Sequence, residues 1–331
     1  MTKEDYEKLL KELMQVFSIS KPTIPARILN KSVTDLASSY GIAYKALYQE
    51  VLTEMIANFG VDSTPSIKSK QALLKLIDER MESLNRVTAK QVRKEVEKQY
   101  ITGSAFGAIS AGLATTLKDL KEVVPYSELN TAKIDQLLQD TMEDLLFSTQ
   151  HTAKNVKKVV RETFVKNLQY HGLKNESQKN IRKIIGKELS RKFMSESLQK
   201  KGFVGIVDSA GRKWNTQTYV NMATATKLNQ AYTEGLKAQA LNSGYDLAVI
   251  PEKGATDACK YFEGMIISLT GQTEGYMTYD QLRATGLIFH PRCRHSPCPI
   301  GNIDLLPEED IKFHKEQMEK LKEAKLEKKL K

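Results

Sequence analysis

Apolar residues recur at helical spacing along the first two-thirds of the chain. Tyr6, Leu9, Leu10, Leu13, Met14 and Phe17 return at intervals that place them on one helix face. Thr2 followed by Asp5 supplies a capping box at its start. The stretch SISKPTIP, with two prolines, interrupts the pattern. A second stripe follows: Tyr44, Leu47, Tyr48, Val51, Leu52, Met55, Ile56 and Phe59, with Gly60 as its stop. Ile134, Leu137, Leu138, Met142, Leu145 and Leu146 make a third, with Asn130 as cap. Residues 151–201 are dense in Lys and Arg, yet Val156, Val159, Val160 and Phe164 keep the helical period. All these stripes read as core-facing surfaces.

The texture changes near residue 202. KGFVGIVDSAGRKWNTQTYV predicts a β-hairpin: Phe203 to Val207 as one strand, Asp208-Ser209-Ala210-Gly211 as the turn, Arg212 to Trp214 as the return. Asn215 or Thr216 then caps a helix running to about residue 242, buried through Leu228, Ala231, Tyr232, Gly235 and Leu236. Asn242-Ser243-Gly244 ends it. DLAVIPE and MIISL read as strands, and YMTYDQLRATG as a short helix capped at Thr278. After Pro307 comes a tail that opens with acids and closes with lysines, as a helix macrodipole favours. Its apolar stripe (Ile311, Met318, Leu321, Leu330) is thin, which suits a solvated helix or one that docks on a partner. The expected fold class is therefore a mainly α N-terminal region, then a small α+β domain with a hairpin and short strands, then a C-terminal charged helix. The expected boundaries are 1–201, 202–306 and 307–331.

Composition adds two constraints. The chain has 331 residues, 40% hydrophobic and 27% charged, enough for more than one domain and a real core. Its net charge of +10 suits a polyanionic neighbour such as nucleic acid, or simply a lysine-rich solvated surface. Three cysteines make no disulfide framework and point to free thiols or metal ligands in a reducing compartment. MTKEDYEKLL lacks a basic-then-apolar leader layout. ITGSAFGAISAGLATTL, residues 101–117, carries no charge, but it is too rich in small residues to read as a membrane span. Gly103, Ala105, Gly107 and Gly112 instead point to close helix packing.

Candidate chemistry gathers in FHPRCRHSPCP, residues 289–299, which holds two of the three cysteines and two of the five histidines. Cys259, His290, Cys293, His295 and Cys298 are the candidate metal ligands. Zinc is the cofactor that such residues suit, since it takes thiolate and imidazole in a tetrahedral set. No CxxC pair occurs, because Thr256 stands where one would place its first cysteine. A zinc ion and a hydrogen-bonded thiol–imidazole knot both account for the cluster. A zinc deaminase pattern fails, since His290 is followed by Pro291-Arg292 rather than by x-Glu. No phosphate-binding loop, HExxH or GxSxG is present, and Glu252 and Glu263 look isolated. No catalytic residue is expected. Trp214 is read as a core anchor rather than a base-stacking platform flanked by Arg212 and Lys213.

Three runs in order carry a resemblance: GIVDSAGRKWNTQTYVNMATATKLNQAY, GYDLAVIPEKGATDACKYFEGMIISLTG and GLIFHPRCRHSPCPI. Residues 200–300 resemble phage minor capsid proteins of the Mu-F-like head morphogenesis group, in the branch called phage minor capsid protein 2. The matching positions are Asp208, Gly211, Arg212, Trp214, Tyr219, Cys259, Glu263, Gly264, His290, Pro291, Cys293, Arg294 and His295. The resemblance implies a low-copy virion component rather than an enzyme. It would be made in a bacterial host and held at the portal or head interior, acting in head assembly and DNA packaging or delivery. Its implied partners are the portal protein, other head proteins and packaged DNA contacted non-specifically through phosphates. No membrane partner is implied. Many members carry a second cysteine where this chain has Thr256, a departure that weakens the case for four zinc ligands unless Cys298 substitutes. Some relatives carry toxin or transferase domains after the HPxCR motif; only the charged tail follows it here. Two alternatives stay open: a zinc-stabilised nucleic-acid-binding module, and a thiol- or metal-dependent, toxin-like enzyme.

Overall fold

A computed structural model describes residues 1–19, 26–59, 67–173, 180, 184–185, 187–188, 206–207, 213–214, 216–301 and 303–323. The expected α-then-α+β order holds. The helices are α1 Lys3–Ile19, α2 Ala26–Phe59, α3 Ile67–Ser110, α4 Leu117–Val123, α5 Thr131–Leu173, α6 Thr216–Asn242, α7 Tyr279–Ala284 and α8 Glu308–Glu323. The strands are β1 Ile206–Val207, β2 Lys213–Trp214, β3 Leu247–Val249, β4 Ile266–Ser268 and β5 Cys298–Pro299. By contact the chain divides into two compact units. One holds Met1–Ser32, Arg93–Gln139 and Ala225–Lys331; the other holds Val33–Val92 and Asp140–Thr224.

In the first unit, α1 packs on α3 and α4 as its stripe predicts. Tyr6, Leu9, Leu10 and Leu13 are buried against Ile101, Ala105, Leu120 and Val124. The Tyr6 hydroxyl donates to the Val124 carbonyl, and Asp5 N–H donates to Thr2 Oγ1 at 3.1 Å, as the cap requires. The Phe17 side chain lies outside the described residues. Thr116 and Asp119 form a full capping box on α4.

The uncharged stretch 101–117 is the last part of α3 and the turn after it, and it serves packing. No helix among the described residues is long and apolar enough to cross a membrane. Gly103 of α3 and Gly235 of α6 face each other at a close crossing. A Cβ on Gly103 would sit 2.7 Å from the Tyr232 carbonyl carbon and 2.9 Å from Leu236 N. One on Gly235 would sit 2.8 Å from the Tyr100 carbonyl carbon. Across this seam the Ser104 hydroxyl lies 3.1 Å from the Gly235 carbonyl, which it can serve along with Tyr100 O of its own helix. Two backbones come this near only where side chains are absent. The predicted α6 stripe is buried as read: Leu228, Ala231, Tyr232 and Leu236 are fully enclosed.

Beyond α6 the chain builds the small sheet, ordered β4-β3-β5 and antiparallel throughout. Ala248 pairs with Ile267 on one side and Pro299 on the other. Proline is tolerated there because β5 is an edge strand. Thr278 and Gln281 cap α7 reciprocally. Ala248, Ile250, Phe262, Met265, Ile267, Leu282 and Ile288 form the core under this sheet.

The tail helix α8 docks on this same core, by a face broader than the predicted stripe. Ile311 and Met318 are partly buried, but the closest fits come from Phe313 and His314. Ile266 N–H donates to His314 Nδ1 at 3.1 Å, and burial, with Lys315 nearby, depresses the His314 pKa and keeps that nitrogen an acceptor. Leu321 and Leu330 lie outside the described side chains. Gly264, at φ +77°, occupies the left-handed region, and a Cβ there would overlap the Phe313 ring. Gly264→Ala is therefore expected to destabilise by about 1–3 kcal/mol through strain and overpacking. In a Phe313→Ala background the penalty should shrink to the backbone share, which a double-mutant cycle of melting curves reads directly. Equal penalties in both backgrounds would exclude the ring clash.

In the second unit, Val33, Leu36, Ala37 and Tyr40 of α2 are buried, as are Leu73, Ile77, Met81 and Leu84 of α3 and Leu145, Val156, Val160 and Phe164 of α5. Hydrogen bonds tie the three helices: Tyr40 Oη with Thr88 Oγ1 at 3.2 Å, and Thr149 Oγ1 to Asn85 Oδ1 at 3.1 Å. The 44–59 stripe lies in α2, but the side chains of Tyr44, Leu47, Tyr48, Val51, Leu52, Met55, Ile56 and Phe59, and Gly60, are outside the described residues. Ile134 and Leu137, on the first-unit part of α5, are buried as predicted, and Lys133 N–H donates to Asn130 Oδ1 at 2.9 Å, so Asn130 caps the helix. Leu146 departs from its stripe and is 38% exposed. The hairpin is present, with Ile206 paired to Trp214 and Val207 to Lys213. Phe203, the turn Asp208 to Gly211, Arg212, Asn215 and the Trp214 side chain lie outside the described residues.

Candidate metal centre

Two loops of the first unit bring the candidate residues together. One follows β3. There Asp257 caps a 3₁₀ turn, Ala258–Tyr261, its Oδ1 accepting from Cys259 N–H at 3.0 Å. This short Asx-type turn points Cys259 inward, where it is 2% exposed. The other loop leads into β5. Phe289 (φ 53°) and Arg292 (φ 66°) are left-handed, the only non-glycine residues so placed among those described. Each such residue costs on the order of 1–2 kcal/mol. The Tyr279 ring, 4.6 Å from the Phe289 ring, helps hold the first in place. The second sits in a tight turn closed by Cys293 N–H to His290 O at 2.9 Å. This kinked backbone turns His290 and Cys293 toward Cys259.

Four of the five sequence candidates meet. Cys259 Sγ lies 3.2 Å from His290 Nε2 and 3.7 Å from Cys293 Sγ. Cys293 Sγ lies 3.4 Å from His295 Nδ1. The ligand atoms of Cys259, Cys293 and His295 all fall within 4.8 Å of one another, and so do those of Asp257, Cys259 and His290. Cys298 stands apart. Its place opposite Val249 in β5 packs it against Phe106, Tyr232 and Leu236. Burial raises its thiol pKa to about 11.

Two carboxylates that looked isolated or unremarkable in the sequence support the cluster. Glu263, 7% exposed, accepts from Lys253 N–H at 2.8 Å and Ala255 N–H at 3.0 Å. Its Oε1 also meets His295 Nε2 at 2.8 Å. A carboxylate can only accept, so a ring proton belongs on Nε2, and Nδ1 is the nitrogen that meets Cys293. Asp257 Oδ2 lies 3.3 Å from His290 Nε2. The Asp257-x-Cys259 spacing is the one sequence feature that marked the turn; Glu263 and His295 are far apart in the chain and nothing local links them.

The electrostatics split the two central thiols. Burial, then Cys293 and Asp257 nearby, push the Cys259 thiol far above its usual range. Burial also pushes Cys293 up, but hydrogen bonding and charge from His295 more than offset it, and its pKa falls below the ordinary value. Burial lowers the His295 pKa, while Cys293 and Glu263 raise it further, for a net rise. Burial raises Glu263, and His295 with the two amides brings it below the usual carboxylate range. Chemically the arrangement is a closed thiol–imidazole–carboxylate network, suited to hold a cation or to lock two loops.

No curated protein and no solved structure matches this chain. Residues 30–330 match the family described as phage minor capsid protein 2, so the match runs through both compact units and includes every member of the Cys/His cluster. That span is far more than half of the sequence, and the chain belongs to the phage minor capsid protein 2 family.

Proposed function

We propose that the protein is a low-copy structural component of the phage virion, seated at the portal or the inner face of the head, where it serves head assembly and DNA packaging or delivery. The observation that carries this reading is membership of a minor capsid family over residues 30–330. The net charge of +10 supports placement near packaged DNA, since phosphate contacts need only Lys and Arg. Lys154, Lys158, Arg161 and Lys166 stand exposed along α5 and offer such contacts. The reading assigns the protein no turnover.

Quantitative mass spectrometry of purified particles tests this. The protein should appear at a few copies per particle, in fixed ratio to the portal subunit. Its absence from full heads overturns the proposal. The purified protein should also bind duplex DNA of any sequence, with affinity falling steeply as salt rises. Salt-independent or sequence-selective binding would remove DNA from the proposed partners.

A further inference from the structure

We propose that Cys259 and Cys293 are a redox-active thiol pair: together they reduce a small anionic disulfide and close into a bond that links the turn after β3 to the loop before β5. The inference stands apart from the capsid reading and fails or holds without it.

The placement of the sulfurs is the first support. Cys259 Sγ and Cys293 Sγ lie 3.7 Å apart, in van der Waals contact, although 34 positions separate them in the chain. Both are free thiols. Closing to a sulfur–sulfur bond of about 2.05 Å moves each sulfur by less than about 1 Å. Cys298 is no competitor, because it packs away from them against Phe106, Tyr232 and Leu236.

Access and partners then give the two thiols different parts. Cys293 is partly exposed, whereas Cys259 is 2% exposed. Cys293 Sγ meets His295 Nδ1 at 3.4 Å, and Glu263 holds the other ring nitrogen at 2.8 Å. Two backbone amides fix Glu263, so the imidazole is set firmly beside the sulfur. A base that takes the thiol proton is what attack on a disulfide requires. Exposed Arg292 and Arg294 flank Cys293 and favour an oxidant that carries carboxylates, as glutathione disulfide does. Cys259 has an imidazole of its own: His290 Nε2 lies 3.2 Å from its sulfur and 3.3 Å from Asp257 Oδ2.

The exchange runs in two steps. Cys293 Sγ first attacks one sulfur of the external disulfide, which breaks that bond and leaves a mixed disulfide on Cys293. The Cys293 proton passes through His295 to the departing thiolate. Cys259 Sγ then attacks the Cys293 sulfur and displaces the second external thiolate, which takes the Cys259 proton through His290. One external disulfide is reduced by two electrons to two thiols, and the protein's two thiols are oxidised to one disulfide. The reaction happens once per chain. In a reducing cytoplasm the pair stays open; in an oxidising exterior it closes and staples the two loops.

The test uses the full-length protein, freed of metal with a chelator and exposed to glutathione disulfide. Two of its three thiols should disappear, and non-reducing peptide mapping should find Cys259 joined to Cys293 with Cys298 still free. Cys259→Ser should stop at one glutathione, carried on Cys293, whereas Cys293→Ser should take up none. His295→Gln should slow glutathione capture by about tenfold or more in the native protein and leave the rate in urea unchanged. Cystamine, a cationic disulfide, should react more slowly than glutathione disulfide; the reverse order overturns the assignment of an anionic oxidant. A lasting glutathione adduct on wild-type Cys293 overturns the proposal, as do thiols that stay unreacted in the native protein or a bond that includes Cys298. These wild-type results stand even where a variant fails to fold.

Discussion

Gly103→Ala is expected to destabilise the protein by about 3 kcal/mol or more, the largest effect of any single methyl addition described above. The methyl carbon would fall against the Tyr232 carbonyl and the Leu236 amide nitrogen, which are backbone atoms and cannot rotate away. One helix must therefore move off the other. That separation opens contacts around Phe106, Tyr232 and Leu236, all almost fully buried. Gly235→Ala meets the reciprocal obstacle at Tyr100 and should act as strongly. The double variant should cost less than the sum of the two, because one displacement relieves both clashes. Melting curves decide this, with roughly 2–4 °C expected per kcal/mol at domain sizes of this order. A Gly103→Ala protein that melts within a degree of the wild type would exclude the close crossing. Ser104→Ala is the control at the same seam: it deletes a hydroxyl and adds no volume, for about 1 kcal/mol.

Asp246→Ala is the second large effect, expected at about 2 kcal/mol. The Asp246 carboxylate organises the turn after β4. It accepts from Ser268 Oγ at 2.6 Å, Thr270 N–H at 2.9 Å, Thr270 Oγ1 at 2.6 Å and Thr273 N–H at 2.9 Å. Ser268 is fully buried and loses its acceptor in the variant, whereas Thr270 is exposed and water replaces part of its loss. Asp246→Asn keeps one acceptor oxygen and should cost roughly half as much. Partial burial raises the Asp246 pKa, but the hydrogen bonds from Ser268, Thr270 and Thr273 outweigh it and bring the value to about 2. A folded pKa below the unfolded one means stabilisation that is complete above about pH 4 and lost as the pH falls through about 2. The gap in melting temperature between wild type and Asp246→Asn should thus narrow across that window. A gap that stays constant from pH 5 to pH 2 would show that the carboxylate charge contributes nothing.

The parts of the fold that were legible in the sequence are those where one strong local rule acts alone. Tyr6 to Leu13 obeys the helical period and is buried as a face. Thr278 and Asn130 are caps, and each caps. DLAVIPE and MIISL are short β-branched runs bounded by turns, and they pair. Where rules compete, local reading gave less. The burial of Val33, Leu36, Ala37 and Tyr40 was hidden among Ser, Thr and Asn. Leu146 fitted the α5 stripe but lies past the edge of the face that is covered. On α8, burial reaches Phe313 and His314, beside the Ile311–Met318 stripe, because Gly264 leaves room for a ring there. The cluster around Cys259 was half legible. The Cys and His residues advertise themselves by type, but the pairing of Glu263 with His295 depends on tertiary structure that no local spacing encodes.

The glycine crossing also dictates when the protein can fold. Ser104 meets Gly235 across 131 positions of chain. A ribosome adding about 5–20 residues per second needs on the order of ten seconds to cover that distance. Through that interval the uncharged end of α3 has emerged but its partner helix has not been made. The Tyr100–Ser104 seam then presents bare backbone and small residues to whatever is nearby, a second nascent copy or a chaperone included. Synthesis of this protein is thus a race between completion of α6 and capture of an open α3, and slowing translation between residues 104 and 235 would lengthen the exposure without changing a single contact of the finished fold.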